Sequence, residues 1–394
     1  MLPSPPPGKR ASGPEAALGR PGLDVDRSDV NLFVELCETA SPTGDEAAVA
    51  AIVTQRLEAL GLSVSEDDAA APTGAGCGNL LTRIEGRTDS WIGFCSHLDT
   101  VPHAGPIEVL LDGEGVYRSA GETILGADNK AAVVVMLELA RRYAKEPPPV
   151  GIEFLFTVAE EQGLLGAFAL DASTLSSDLF FVLDLASDIG QIATVSPTHG
   201  QLRAVVTGVE AHAGLAPEKG ASAIEAAARA IATMPLGRID EDTTANIGLI
   251  EGGTSGNVVP GRCEVFGEAR STVEGRSAEV LGRMAEALMA EASEIGCEVE
   301  VEIKEVFAGY TVPEDSKALA AAEAVLETRG HEPSRVSAGG GSDANVLRAR
   351  GFDALLLANG TYDNHTADES VPRENLAEMF EICCDLIEEV EPAC

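Results

Sequence analysis

Three short apolar segments, each followed by acidic or histidine side chains, constrain the fold of this chain most strongly. They span residues 91–95, 152–158 and 179–183. Nearly continuous apolar runs of this length are typical of strands buried on both faces of a sheet. Segments with helical periodicity separate them, and this alternation predicts an α/β fold with a mostly parallel central sheet. In such a sheet, a ligand site lies beyond the carboxyl ends of the strands.

Composition limits the size and the partners of the protein. A chain of 394 residues is too long for one ordinary core, so we expect two domains. Lys and Arg number 27 and Asp and Glu number 64, and the net charge of -37 argues against binding to nucleic acid or anionic membranes. No apolar run approaches the ~20 residues that span a bilayer, and residues 1–10 lack the apolar core of a secretory signal. Eight cysteines without a C-x-x-C pair favour buried reduced thiols and a cytoplasmic location.

The order of the predicted elements divides the chain into a tail and two domains. Residues 1–27 are rich in Pro, Gly and Ala, and we expect a disordered tail. Residues 199–306 follow the order strand, helix, strand, strand, helix, strand, which is the ferredoxin-like βαββαβ plan. We expect them to form an inserted domain. The α/β pattern then occupies residues 28–198 and 307–394.

A set of acidic and histidine residues lies directly after the apolar strands or at the start of helices. Its members are His97, Asp128, Glu160, Glu161, Asp184 and His365. In the predicted sheet, all of them gather at one edge. Two divalent cations would be balanced by three carboxylates and one bridging hydroxide, with two neutral imidazoles. The set therefore predicts a two-metal site, and its nitrogen and oxygen ligands suit zinc, cobalt or manganese.

Two pairs within this region have a more specific geometry. His97 and Asp99 point the same way on an extended segment, so Asp99 can accept a hydrogen bond from the ring nitrogen that a metal leaves free. Glu160 and Glu161 are adjacent, and their side chains diverge. One can bind a metal while the other faces the bound water as a general base. Taken alone, a Glu-Glu pair in so acidic a chain indicates only an exposed turn.

Seven motifs follow one another between about residues 40 and 380. They are SHLDTVP (96–102), LGADNKA (125–131), TVAEEQG (157–163), AHAGLAPEKG (211–220), GGTSGNVVP (252–260), GGGSDAN (339–345) and NHT (364–366). Together, and in this order, they resemble the M20 family of dinuclear zinc peptidases and amidohydrolases. The similarity is greatest to its tripeptidase T-like branch.

The resemblance implies a ligand set for two divalent metal ions, with zinc as the first candidate and cobalt or manganese as alternatives. Asp128 would bridge the two ions. His97 and Asp184 would complete one site, and Glu161 and His365 the other. The family often has a second Asp after the bridging one, where this chain has Asn129. The resemblance also implies a cis peptide bond between residues 128 and 129.

Further roles follow from the same resemblance. Asp99 would orient His97, and Glu160 would be the general base. The inserted domain would be a lid that also forms a homodimer. Its His212 would stabilise the oxyanion, often in the partner subunit's site. From the residues alone, a structural role for His212 is favoured over a catalytic one.

The resemblance also assigns the substrate contacts. Asn257 and Arg270 would bind the substrate, Arg270 through a carboxylate, and Gly340 would line the cleft. From the residues alone, Arg270 could form an ordinary surface ion pair. A phosphate cradle at residues 339–341 is disfavoured because the P-loop pattern is absent. The remaining histidines receive no role from their spacing, and we expect them to be structural or exposed: His103, His199 and His331.

These observations predict a metal-dependent hydrolase that cleaves an amide bond in a small substrate. A di- or tripeptide is the first candidate, which makes the enzyme aminopeptidase- or tripeptidase-like. An N-acyl amino acid is the second, because the same metal site serves both classes. A non-catalytic binding protein on the same fold is disfavoured, since every ligand position and the base position are filled.

Overall fold

The structure, a computed structural model, describes residues 29–390. The predicted disordered tail, residues 1–27, lies outside these described residues. The helices are α1 (Asp29–Glu38), α2 (Ala47–Ala59), α3 (Ala70–Thr73), α4 (Ala127–Tyr143), α5 (Leu165–Ala169), α6 (Ala223–Thr233), α7 (Arg276–Ile295), α8 (Lys317–Thr328), α9 (Asp343–Ala349) and α10 (Arg373–Glu389). Short 3-10 turns span Ala172–Thr174 and Pro217–Lys219.

The strands are distributed over the same range. They are β1 (Val64–Glu66), β2 (Leu80–Ile84), β3 (Trp91–His97), β4 (Val109–Leu111), β5 (Val116–Ser119), β6 (Gly151–Thr157), β7 (Leu179–Leu185), β8 (Gln191–Ser196), β9 (Thr198–Thr207), β10 (Ala211–His212), β11 (Gly237–Arg238), β12 (Thr243–Gly252), β13 (Val258–Val259), β14 (Arg262–Ser271), β15 (Glu298–Phe307), β16 (Tyr310–Thr311), β17 (Ser334–Ser337), β18 (Asp353–Ala358) and β19 (Ser370–Pro372).

The largest sheet has a parallel centre. Its order is β1-β2-β6-β3-β7-β18-β8-β16, with β17 beside β8, and the four strands from β6 to β18 run parallel. The three apolar runs form β6, β3 and β7. Phe94 and Phe154 belong to one buried cluster, and the next residues, Cys95 and Leu155, belong to another on the opposite face. The side chains of these strands are thus buried on both faces, and the predicted α/β fold is confirmed.

A second, antiparallel sheet is built from residues of the insertion. Its order is β11-β12-β14-β9-β15, and α6 and α7 pack on one face. Apart from the two-residue β11, β10 and β13, the elements follow the predicted βαββαβ order. Inward residues such as Leu202 and Val265 are buried against these helices, so the alternate residues of β9 and β14 face the other way. We refer to this unit as the lid.

The two connections of the lid leave the main sheet side by side. β8 leads into the lid and β16 leads out of it, and these strands pair with Ser196 opposite Tyr310. The side chain of Asn345 joins both connections. Its Nδ2 lies 2.8 Å from the carbonyl oxygen of Ala308 and 2.9 Å from Oγ of Ser196. Entry and exit are therefore bonded to each other and to α9.

Some elements were not expected from the sequence. A small sheet of β19, β5 and β4 joins segments that are far apart in the chain. Helix α3 is a single turn, also unexpected, and ends at Gly74 in the left-handed region. The seven described cysteines are all free and buried, as expected for reduced thiols. Among the described residues, no helix is both long and apolar enough to cross a membrane.

Candidate metal centre

The predicted metal ligands converge beyond the carboxyl ends of the parallel strands. His97 is the last residue of β3, and Asp184 lies near the end of β7. Asp128 lies in the first turn of α4, Glu161 in the turn after β6, and His365 in the loop between β18 and β19. The sheet thus brings together residues from five separate segments, at the edge where α/β proteins place their ligand sites.

The carboxylate of Asp128 lies between two histidines. Its Oδ1 is 3.1 Å from Nε2 of His97, and its Oδ2 is 3.1 Å from Nε2 of His365. His97 Nε2 is also 3.4 Å from Asp184 Oδ1, and His365 Nε2 is 3.0 Å from Glu161 Oε1. Each oxygen of Asp128 therefore belongs to one nitrogen–carboxylate group. This is the partition that the predicted bridge requires, and the individual ligand roles stay predictions.

The charges at this site depend on protons held by the histidines. Hydrogen bonds to Asp128 and Glu161 raise the pKa of His365 to about 10, although burial opposes the shift. Burial lowers the pKa of His97, but Asp184 and Asp128 outweigh it and the net shift is upward. Burial raises the pKa of Asp184 to about 7, against the effect of His97. Without metal, imidazolium charge therefore balances the carboxylates.

This donor set fits a divalent metal. Ligand atoms of His97, Asp128 and Glu161 lie within 4.8 Å of one another. Imidazole nitrogens and carboxylate oxygens are the ligands that zinc, cobalt and manganese accept. Protonated histidines supply positive charge at the place where cations would do so. Binding of metal at this site must therefore displace protons.

Asp99 organises both sides of the centre. Nδ1 of His97 lies 3.0 Å from the backbone oxygen of Asp99 and 3.4 Å from its Oδ1. The carboxylate of Asp99 accepts hydrogen bonds from the backbone N–H groups of Glu160 (3.0 Å) and Glu161 (3.2 Å), and from the hydroxyl of Thr43 (2.7 Å). It orients the histidine chiefly through its carbonyl, and its carboxylate fixes the Glu160–Glu161 turn.

Glu160 has the environment of a proton-transfer group. It is buried and lines the same cavity as His97 and Asp128. Burial raises its pKa well above the ordinary value for Glu, with His97 opposing and Asp184 adding to the shift. A carboxylate whose pKa is raised above the ordinary value, beside a candidate metal site, is suited to general base catalysis.

Two further residues hold the Asp128 segment in place. Glu369, which is buried, accepts hydrogen bonds from the backbone N–H groups of Leu125 (2.7 Å), Gly126 (2.8 Å) and Asp128 (2.8 Å). Nδ2 of Asn129 donates to the Leu183 carbonyl at 2.9 Å and to Asp184 Oδ1 at 2.6 Å. The Asp128–Asn129 peptide bond is cis, as the resemblance implied. Sequence reasoning missed Glu369, because no periodicity distinguishes one buried Glu among many acidic residues.

Solved structures resemble this chain along nearly its whole length. The aminopeptidase PepT of Bacillus cereus is 40% identical, with a TM-score of 0.82 over 93% of this chain and 99% of that one. A tripeptidase of Staphylococcus aureus is 32% identical, with a TM-score of 0.87 over the same shares. YqjE of Bacillus subtilis, described as uncharacterized, is 39% identical over 360 residues, which are 91% of this chain and 96% of that protein.

Two family patterns match parts of the chain. The peptidase dimerisation domain of M20 matches residues 198–296, and peptidase family M28 matches residues 79–232. The likeness to PepT decides between them, because it spans both the main sheet and the lid. The chain belongs to the M20 family of metallopeptidases. Within that family it is similar to the PepT peptidases, so its reaction class is metal-dependent peptide hydrolysis.

In this M20 peptidase, the metal centre opens into a cavity of about 700 Å³ between the main sheet and the lid. Arg270, Gly340 and Gly341 line this cavity, as expected. His199, for which the sequence suggested no role, also lines it and is buried. The expectation that His199 is only structural or exposed therefore missed its place in the site. Spacing could not reveal it, because the position depends on how β9 pairs.

The two remaining predicted residues lie elsewhere on the lid. His212 and Asn257 are exposed, and neither lines the cavity. His212 ends β10 and pairs with Val258 of β13, and Asn257 directly precedes β13 in the same two-stranded ribbon. Nδ1 of His212 accepts a hydrogen bond from the backbone N–H of Gly214 at 3.1 Å. Within one chain, the structure does not bring them to the metal centre.

Proposed function

We propose that this M20 peptidase hydrolyses the peptide bond of a di- or tripeptide, with N-acyl amino acids as the second substrate class. The observation that carries the proposal is the pair of histidine–carboxylate groups sharing Asp128, with Glu160 beside them. The cavity of about 700 Å³ suits a short peptide. The relatives that match over the full length, PepT and a tripeptidase, favour the first class.

Two divalent ions, for which zinc is the first candidate and cobalt or manganese the alternatives, would supply Lewis acidity and a more acidic water. Asp128, His97, Asp184, Glu161 and His365 would hold them. Because the chain provides both nitrogen and carboxylate donors around one shared carboxylate, it can fix two ions without further protein ligands.

Glu160 transfers the proton during the reaction. Its carboxylate takes a proton from the attacking water and delivers it to the nitrogen of the leaving amine. Asp99 supports this by accepting the backbone N–H of Glu160 at 3.0 Å, so the carboxylate keeps its place in the cavity. Burial excludes bulk water and raises the pKa of Glu160, which makes it able to hold the proton between the two steps.

The lid supplies the remaining groups from a second subunit. His212 and Asn257 would stabilise the oxyanion of the partner's site, and the two subunits would associate through their lids as a homodimer. Support comes from the exposure of both residues and from the match of residues 198–296 to a peptidase dimerisation domain. The buried free cysteines support a reducing, cytoplasmic location.

A substrate panel tests the proposal. Di- and tripeptides and N-acyl amino acids would be incubated with enzyme supplied with Zn²⁺, Co²⁺ or Mn²⁺, and again after chelation. We expect metal-dependent cleavage of short peptides. Exclusive cleavage of N-acyl amino acids would select the second class. If the metal-loaded enzyme cleaves none of these substrates, both substrate assignments would be contradicted.

A further inference from the structure

The lid contributes a charged group to the cavity that has no role at the metal centre. Arg270 lies opposite His199 in the register of β14 and β9. Glu268 is two residues before Arg270, so both side chains are on the same face of the sheet. Between them, Ala269 is buried against the lid helices on the other face. The backbone register alone therefore places three polar side chains together above the cavity.

The carboxylate of Glu268 lies between His199 and Arg270 and contacts both. Oε2 of Glu268 is 2.9 Å from Nε2 of His199 and 3.2 Å from Nη2 of Arg270. His199 is only 6% exposed, and its ring meets that of Phe307 edge-on with centroids 5.2 Å apart. Contact with His199 lowers the pKa of Glu268 to about 2, with burial opposing and Arg270 adding to the shift. Glu268 is thus ionised and holds the guanidinium from one side.

The other side of Arg270 faces the cavity floor. Its Nη1 lies 3.4 Å from the position that a Cβ would take on Gly340, so the missing side chain leaves room for the guanidinium. Among the described residues that line the cavity, Arg270 is the sole Lys or Arg. Apart from the histidines, this described lining has no other cationic side chain, so Arg270 is the group that would pair with a substrate carboxylate away from the metal ions.

We infer that His199 and Glu268 are positioning residues that hold Arg270 for the free C-terminal carboxylate of the peptide. The inference rests on the proposed function. A contact between Arg270 and a substrate carboxylate is what the family resemblance implies, and the new element is that His199 and Glu268 position the guanidinium. A guanidinium binds a carboxylate best through two parallel N–H bonds, which requires a fixed plane. Glu268 fixes that plane through Nη2, and His199 fixes Glu268.

The test compares trialanine with its C-terminal amide as substrates of the metal-loaded enzyme. We expect the wild type to prefer the free acid by about tenfold or more in kcat/KM, the usual effect of a charged hydrogen bond. Glu268→Gln and His199→Phe should raise KM for the free acid about tenfold. They should leave kcat within about twofold and bring the acid-to-amide preference close to unity. His199→Gln retains an N–H donor and should keep most of the preference.

A matched control lies on the same lid. Glu279→Gln removes the carboxylate of the Arg276–Glu279 ion pair, whose atoms are 2.7 Å apart and which is outside the cavity lining. It should behave as the wild type. If Glu268→Gln fails to fold, Glu268→Asp keeps the charge but draws it back from Arg270, and should also raise KM for the free acid.

The outcomes separate the inference from the function beneath it. Peptide cleavage by the wild type, with the acid-to-amide preference unchanged in folded, metal-binding Glu268→Gln and His199→Phe, would overturn the inference alone. Absence of peptide cleavage by the wild type would overturn the proposed function, and this inference with it.

Discussion

The metal centre and the β10–β13 ribbon of the lid differ in how completely one chain builds them. At the metal centre, five segments converge, and every predicted ligand has a partner within 3.4 Å. On the ribbon, His212 and Asn257 are exposed, and neither lines the cavity. The residues at the buried edge of the sheet thus form their site within one chain. A catalytic role for an exposed ribbon would require a second surface, and the contrast between the two regions can be tested by mutation.

Glu160→Gln should have the largest effect. It removes the proton acceptor but not a predicted ligand, so we expect kcat to fall by about 10²- to 10⁴-fold. Bound metal, measured by elemental analysis, should be unchanged. Glu85→Gln, at an exposed position directly after β2, is the control. Near-normal turnover of Glu160→Gln would contradict the assignment of Glu160 as the general base.

His212→Ala should have the next largest effect, about 10²- to 10³-fold in kcat, if the ribbon donates to an oxyanion. Mixing this variant with Glu160→Gln should recover about a quarter of the wild-type activity, because one of the two sites in each mixed dimer has both residues intact. Activity that does not return, despite demonstrated subunit exchange, would show that the ribbon does not act in trans.

Glu369→Gln should weaken metal binding rather than turnover at saturating metal. One acceptor oxygen would be replaced by an N–H donor facing the backbone N–H groups of residues 125–128, so the Asp128 turn would loosen. We expect a loss of metal affinity of about 10- to 100-fold, as for other residues that orient ligands. Titration calorimetry measures it, and Glu374→Gln on the exposed start of α10 serves as the control. Unchanged affinity would mean that the turn is held without Glu369.

Asn129→Asp should destabilise the metal-free protein, although the family often has Asp there. Asn129 donates to Leu183 O and Asp184 Oδ1, and a carboxylate would instead face two acceptors. Leaving such groups unpaired costs ~1–3 kcal/mol, so we expect a lower thermal midpoint without metal. Asn246→Asp, exposed on β12, should change little. A higher midpoint for Asn129→Asp would contradict the donor role.

Metal affinity should rise with pH. The raised pKa of His365, about 10, means that its proton must leave before Nε2 can bind a metal, so each pH unit below that value weakens binding by at most about tenfold per displaced proton. Calorimetry in buffers of different ionisation enthalpy should show proton release. Metal binding without proton release would contradict the role of the His365 proton.

The stability of the metal-free protein should depend on pH in the opposite direction. The ion pairs of protonated His365 stabilise the fold fully below pH ~6.5, and this stabilisation is lost as pH rises through about 10.

Much of the metal centre could be predicted from local patterns in the sequence. The apolar runs of β3, β6 and β7 are long enough to be doubly buried, and polar residues at their ends can only meet at one edge of a parallel sheet. His97, Asp184 and Glu161 were therefore recognisable without knowledge of strand order. The lid's βαββαβ plan followed from element order in the same way, and its exact boundaries stay predictions.

Other features depend on pairings between distant segments. His199 faces the cavity because β9 lies opposite β14 in one register, and a shift of one residue would turn it toward the helices. Glu369 is buried because the loop after β18 folds back over α4, and its sequence resembles any acidic loop. The small sheet of β4, β5 and β19 joins residues some 250 positions apart. Such contacts leave no local periodicity.

The side-by-side attachment of the lid has a mechanical consequence. Since β8 and β16 are hydrogen-bonded to each other and Asn345 bonds to both connections, the lid is attached to the main sheet through two paired strands. Because the strands are paired, we expect a rotation of the lid to bend both of them together. A chain cut in one connection would leave the lid attached through the other, at the same place on the main sheet.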